Sequence, residues 1–161
     1  VRVTRIDTPS DVVKTTSEVI DNIISLLGVD VVSTLTQVER EDLGGPVFEI
    51  EGDAAGLLIG RRGDTLKALQ FLVKYLVSQK LDANVNILVD VEGYQDRRYQ
   101  SLMNMARGVA QRVADSGQPI TLEPMPPNER RIVHIALADH HRVTTESTGS
   151  GSSRQVVVQL K

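Results

Sequence analysis

The run Leu57-Leu58-Ile59-Gly60-Arg61-Arg62-Gly63-Asp64-Thr65-Leu66 sets two arginines between two glycines, after an apolar stretch and before a helical pattern. Glycines permit a sharp backbone turn and the close approach of a partner. The arginines put positive charge at the tip, and the helix that follows aims free N–H groups and the positive end of its dipole at the same place. Such a turn is an anion site suited to a sugar-phosphate backbone. Gly60, Arg61, Arg62 and Gly63 are the expected clamp. Leu58 and Ile59 are expected to line an apolar groove for unstacked bases, and Thr65 and Lys67 to add contacts from the first helical turn. Asp64 suits a helix N-terminus, but its carboxylate competes with phosphate there. With 12 glycines in 161 residues, a bare GxxG arises about once by chance, so the signal lies in this context rather than in the spacing.

A second cluster reads Arg130-Arg131-Ile132-Val133-His134. Arg130 and His134 are four apart and share one helix face. Both can donate to phosphate, and a histidine can stack on a base. Arg131, the nearby Arg142 and the pair Arg97-Arg98 complete the candidate nucleic-acid contacts. A histidine charges near its ordinary value, so binding of long strands is expected to strengthen below about pH 6.5.

Charge is distributed unevenly around a net of −3. Residues 1–50 hold 4 Lys/Arg against 9 Asp/Glu, whereas residues 96–161 hold 9 against 6 and all three histidines. There is no cysteine, hence no disulfide, thiolate metal site or cysteine nucleophile. An enzyme, such as a metal-dependent nuclease, would have to draw on His134, Asp139, His140 and His141. His134 and His141 lie about 10 Å apart along one helix, and no acidic pair or nucleophile with a base accompanies them. No catalytic residue, metal or cofactor is therefore expected. Aromatic residues make up 3% of the chain, which argues against broad stacking platforms and leaves stacking to arginine planes. No apolar run reaches membrane-spanning length, no signal peptide is evident, and the start at Val1 suggests a fragment.

The pattern around these clusters is α+β. Apolar spacing predicts a helix over 10–28, strands over 31–38 and 47–51, and a short helix from a cap at Asp53 to Leu58. A helix over 64–80 and a strand over 85–91 follow the GRRG turn. The first two strands should form a hairpin, with the third parallel to the second because a helical crossover leads to it. A second unit then begins with a helix over 94–116. A short strand at 120–122, a helix over 127–139, a strand at 143–146, a Gly/Ser-rich hairpin tip at 147–153 and a strand at 155–160 complete it. The division is residues 1–92 and 93–161.

Longer motifs are shared with a known family. The chain resembles the Jag/KhpB (SpoIIIJ-associated) proteins of bacteria over nearly all of its length. Ile59-Gly60-Arg61-Arg62-Gly63 resembles the GxxG loop of a type II KH domain, in the order helix-strand-strand-helix-GxxG-helix-strand. Glu123-Pro124-Met125-Pro126-Pro127, Glu129-Arg130-Arg131 with His134, and Val143-Thr144-Thr145-Glu146-Ser147 resemble a small α/β domain named for its Arg-xxx-His pattern. The family's N-terminal Jag domain has no counterpart here. The resemblance implies non-catalytic binding of single-stranded RNA, with single-stranded DNA the other candidate strand, in the bacterial cytoplasm. It also implies an influence on cell shape and division, a second KH protein as candidate partner, and a chaperone-like role. An interaction scaffold in cell division or envelope assembly, with incidental nucleic-acid binding, is the alternative.

Overall fold

The computed structural model describes residues 9–161, so the first eight residues of the expected 1–92 segment lie outside it. The chain forms two compact units that divide between Gln95 and Asp96. No helix among the described residues is long and apolar enough to cross a membrane.

The first unit contains α1 (Pro9–Leu27), β1 (Val32–Arg40), β2 (Gly45–Glu51), α2 (Ala55–Ile59), a single 3₁₀ turn at Arg61–Gly63, α3 (Asp64–Leu81) and β3 (Leu88–Val91). β1 and β2 form an antiparallel hairpin, and β3 lies parallel on the far side of β2. Val19, Ile20 and Ile24 of α1 and Leu66, Leu69, Val73 and Val77 of α3 recur at helical spacing, and all are buried with Phe48 and Ile50 of β2. Leu27, by contrast, is exposed, because α1 ends as the chain turns at Gly28.

Two local expectations are corrected. Residues 85–87 do not join the ladder, which runs from Val47 opposite Leu88 to Ile50 opposite Val91. Val85 and Ile87 are nonetheless buried, so their apolar alternation reflects packing rather than pairing. The Gln70 side chain takes the local backbone instead: its amide donates to Ile87 O at 2.5 Å and accepts from Val89 N at 2.6 Å. The start of α2 is not capped by Asp53; Ala54 is the cap residue and makes no side-chain cap bond. A backbone bond from Ala55 N to Gly52 O (2.9 Å) closes that turn.

Most of the second unit is built on α4 (Tyr94–Ser116), followed by β4 (Ile120–Thr121), α5 (Pro127–Leu137), β5 (Val143–Thr148) and β6 (Gln155–Leu160). β6 is the central strand, antiparallel to both β4 and β5. Ala106, Val109, Ala110 and Val113 of α4 pack with Val133 and Leu137 of α5 and with Val143, Val156 and Val158. β5 runs two residues beyond the expected 143–146, since Ser147 and Thr148 stay in register with Val156 and Gln155. α5 stops at Leu137, two residues before the expected end. The first turn of α4 stays with the first unit: Asp90 accepts from Gln95 N at 3.3 Å, and Glu49 accepts from Gly93 N at 2.6 Å.

Candidate nucleic-acid interface

In the first unit the chain leaves α2 at Gly60, whose φ of 69° and ψ of −166° fall where only glycine is at ease. A side chain there would also run into Thr65, whose backbone N stands 3.0 Å from the position a Cβ would take. Arg62 (φ 54°) and Gly63 (φ 80°) are both left-handed, so the turn is one tight reversal into α3. At Gly63 a Cβ would stand 2.6 Å from Tyr94 Cε1. The Tyr94 ring therefore backs the loop, a contact between residues 31 positions apart that no local pattern announces. Arg61 is exposed at the tip and Arg62 half-buried. Lys67 is exposed one turn into α3, 3.7 Å from Asp64 in an exposed pair of the kind worth about 0–1 kcal/mol.

One groove residue changes. Leu58 is 4% exposed and belongs to the core, so it cannot line a base-binding groove. Ile59 packs partly against that core, and Leu57, 69% exposed, takes the outward position. The apolar run Leu57-Leu58-Ile59 does not by itself say which residue turns inward; the five-residue helix α2 decides it.

In the second unit Arg130 and His134 lie on one face of α5, as the four-residue spacing requires. The His134 ring is held at both nitrogens, Nδ1 at 2.6 Å from Thr145 Oγ1 and Nε2 at 2.8 Å from Ser147 Oγ. A neutral imidazole donates from one nitrogen and accepts at the other, and a hydroxyl answers either role. Thr145 and Ser147 are two apart on β5 and so share one face of the strand. They are the positioning residues that a search for charged side chains overlooks. Burial pushes the His134 pKa below its ordinary value, and the neighbouring Arg130 cation pushes the same way. The onset of stronger binding expected near pH 6.5 is therefore displaced to lower pH.

The Arg130 guanidinium donates to Met125 O at 2.7 Å, tying α5 to the proline-rich segment before it. Arg131 is exposed beside it, and Arg97 is exposed near the start of α4. Arg98 is not a surface contact. Its Nε and Nη2 donate to the two carboxylate oxygens of Glu129, at 3.1 and 2.8 Å, and the Glu129 side chain is 5% exposed. Removing one partner from such a buried, bidentate pair costs about 3–5 kcal/mol, which makes Arg98 a structural residue. Arg142 is exposed, and its guanidinium donates to Ala114 O at the end of α4 at 2.5 Å. His140 Nδ1 accepts from the backbone N of Arg142 and Val143 (3.3 and 3.2 Å). Among the described residues no three His, Asp or Glu side chains gather as a metal site.

Comparison with known proteins bears on this arrangement. Residues 100–160 match the Arg-xxx-His (R-three-H) domain family, a stretch that contains both Arg130–His134 and the β5 hydroxyls. The chain is 36% identical over 135 residues to the RNA-binding protein KhpB of Clostridium symbiosum, covering 84% of this chain and 59% of that protein. It is 37% identical over 116 residues to the RNA-binding protein KhpB of Bacillus subtilis, covering 71% and 56% respectively. With the RNA-binding protein KhpB of Lactiplantibacillus plantarum it shares 40% identity over 106 residues, 66% of this chain and 33% of that protein. The aligned stretches thus span between a third and three-fifths of those relatives. These similarities support kinship with the KhpB proteins, and the chain has mixed α+β structure with an Arg-xxx-His domain match in its second unit.

Proposed function

We propose that this chain is a non-catalytic, cytoplasmic binder of single-stranded RNA that holds a strand at two places. The first unit acts as a type II KH domain, with Gly60–Gly63 clamping about four backbone nucleotides against the N-terminus of α3. The second unit acts through the Arg-xxx-His surface of Arg130, Arg131 and His134. The observation that carries the reading is the GRRG turn itself. Its positive φ at Gly60, Arg62 and Gly63 makes one tight reversal into the start of α3, and the exposed Arg61 stands at the tip of that reversal, beside the positive end of the α3 dipole. The kinship with RNA-binding KhpB proteins supports the same ligand class.

The test is filter binding with a tetranucleotide and a twelve-nucleotide single-stranded RNA. Replacing Arg61 and Arg62 together by Asp is expected to weaken both at least tenfold. Gly60→Asp is the poorer probe, because strain and the clash with Thr65 would deform the start of α3. Replacing Arg130 and His134 by Ala should weaken the longer strand and spare the tetranucleotide, since only the long strand engages both places and gains effective concentration. Unchanged affinity in a folded Arg61/Arg62 variant would remove the clamp.

A further inference from the structure

α3 buries Leu66, Leu69, Val73 and Val77, and its opposite face carries an unusual group. Phe71 is 71% exposed and Tyr75 is 52% exposed. Their rings stack with centroids 6.3 Å apart and planes inclined by 12°. These two are among only five Phe and Tyr residues in the chain, yet they stand in solvent together instead of filling the core. Lys67 is four residues before Phe71, and Lys74 is three after it, so both lysines lie along one flank of the ring pair. The face begins at the GRRG turn, since Asp64 is the first residue of α3. Residues 51–95 hold five Lys and Arg. Arg61, Arg62, Lys67 and Lys74 are four of them, placed on this turn and this one helix face in a unit that is otherwise acidic.

We infer that Phe71 and Tyr75 form a stacking platform for bases of a single strand that runs off the GRRG clamp along α3, with Lys67 and Lys74 holding its phosphates. The inference rests on the proposed clamp and extends it to nucleotides beyond the first four. Charge complementarity selects this occupant. A polyanion with flat apolar faces satisfies both the lysines and the rings, and no carboxylate other than Asp64 stands on α3 to oppose it. Phe71 lies about 10 Å along the helix from Asp64 at 1.5 Å per residue, so a strand leaving the turn along α3 passes over the rings. Low aromatic content points away from stacking platforms, yet two of the five Phe and Tyr residues stand together on this face.

The test uses the full chain, the same tetranucleotide and twelve-nucleotide RNA, and the double variant Phe71→Ala/Tyr75→Ala, whose fold is checked by thermal melting. The twelve-nucleotide strand should bind about tenfold more weakly, from base–aromatic stacking worth about 1–3 kcal/mol per base, while the tetranucleotide is unaffected. The conservative pair Phe71→Tyr/Tyr75→Phe should restore long-strand affinity. Oligomers carrying 5-iodouridine should photocrosslink to Phe71 or Tyr75 only when longer than the clamp. Unchanged long-strand affinity with no crosslink on α3 overturns the platform and leaves the clamp standing. A variant that instead shifts a dimer to monomer in sedimentation, with RNA affinity intact, identifies the face as protein contact and also overturns it. Loss of affinity in this variant with none in the Arg61/Arg62 variant keeps the platform and removes the clamp.

Discussion

His134 shows how far a residue type carries and where its setting takes over. An exposed histidine would charge near its ordinary value and add a cation for phosphate. Here the ring sits between two hydroxyls, half-buried, and close to the Arg130 cation, so the neutral form is favoured. The sign for stability follows. With its folded pKa depressed below the unfolded value, the unfolded chain binds more protons on acidification. The contribution is fully present above about pH 6.5 and is lost as pH falls through the lower folded value. Chemical denaturation from pH 7.5 to pH 5 should therefore show a steeper loss of stability in the native chain than in His134→Gln. Equal slopes would mean that the hydroxyl cradle does not discriminate between the charged and neutral ring. The same scale separates neighbouring arginines. Arg97 and Arg98 are indistinguishable as a basic pair in sequence, yet one is exposed and the other locked on buried Glu129. The choice depends on a carboxylate 31 residues away, which no local pattern contains.

At the scale of elements, the long amphipathic segments were legible because burial repeats with the geometry of the helix. α4 spans the expected 94–116, and α3 exceeds its expected end by one residue. Short segments were not legible in the same way. Residues 85–87 alternate like a strand without pairing, and the face that α2 buries could not be chosen from three consecutive apolar residues. The loop between α2 and α3 depends on a partner outside the motif, because the Tyr94 ring occupies the space a side chain at 63 would need. This sets up a double-mutant cycle. Gly63→Ala alone should cost about 1–3 kcal/mol from overpacking, together with strain at a positive φ. In the Tyr94→Ala background the steric part should disappear, so the double variant is less damaged than the sum of the singles. Strict additivity in urea titrations would show that the ring does not constrain the loop.

For the whole molecule, the charge distribution was legible in the sequence and its use was not. The net charge of −3 disfavours attraction of a polyanion by the protein as a body. The proposed binding then rests on local groups of cations, Arg61 and Arg62 at the GRRG turn and Arg130 and Arg131 on α5. A basic pair is not by itself a site: Arg98 is held by buried Glu129 inside the second unit, whereas Arg97 beside it is exposed. If the chain holds RNA as proposed, the exposed cations neutralise phosphates, which a salt series measures directly. The affinity of the native chain for a twelve-nucleotide single-stranded RNA should be followed by filter binding over a salt series from about 50 to about 300 mM. If about four to six phosphates are neutralised, log K falls against log salt with a slope near −3 to −4 for a single strand. A flat response, or binding too weak to detect even at the lowest salt, would contradict the claim that this chain holds RNA by its backbone.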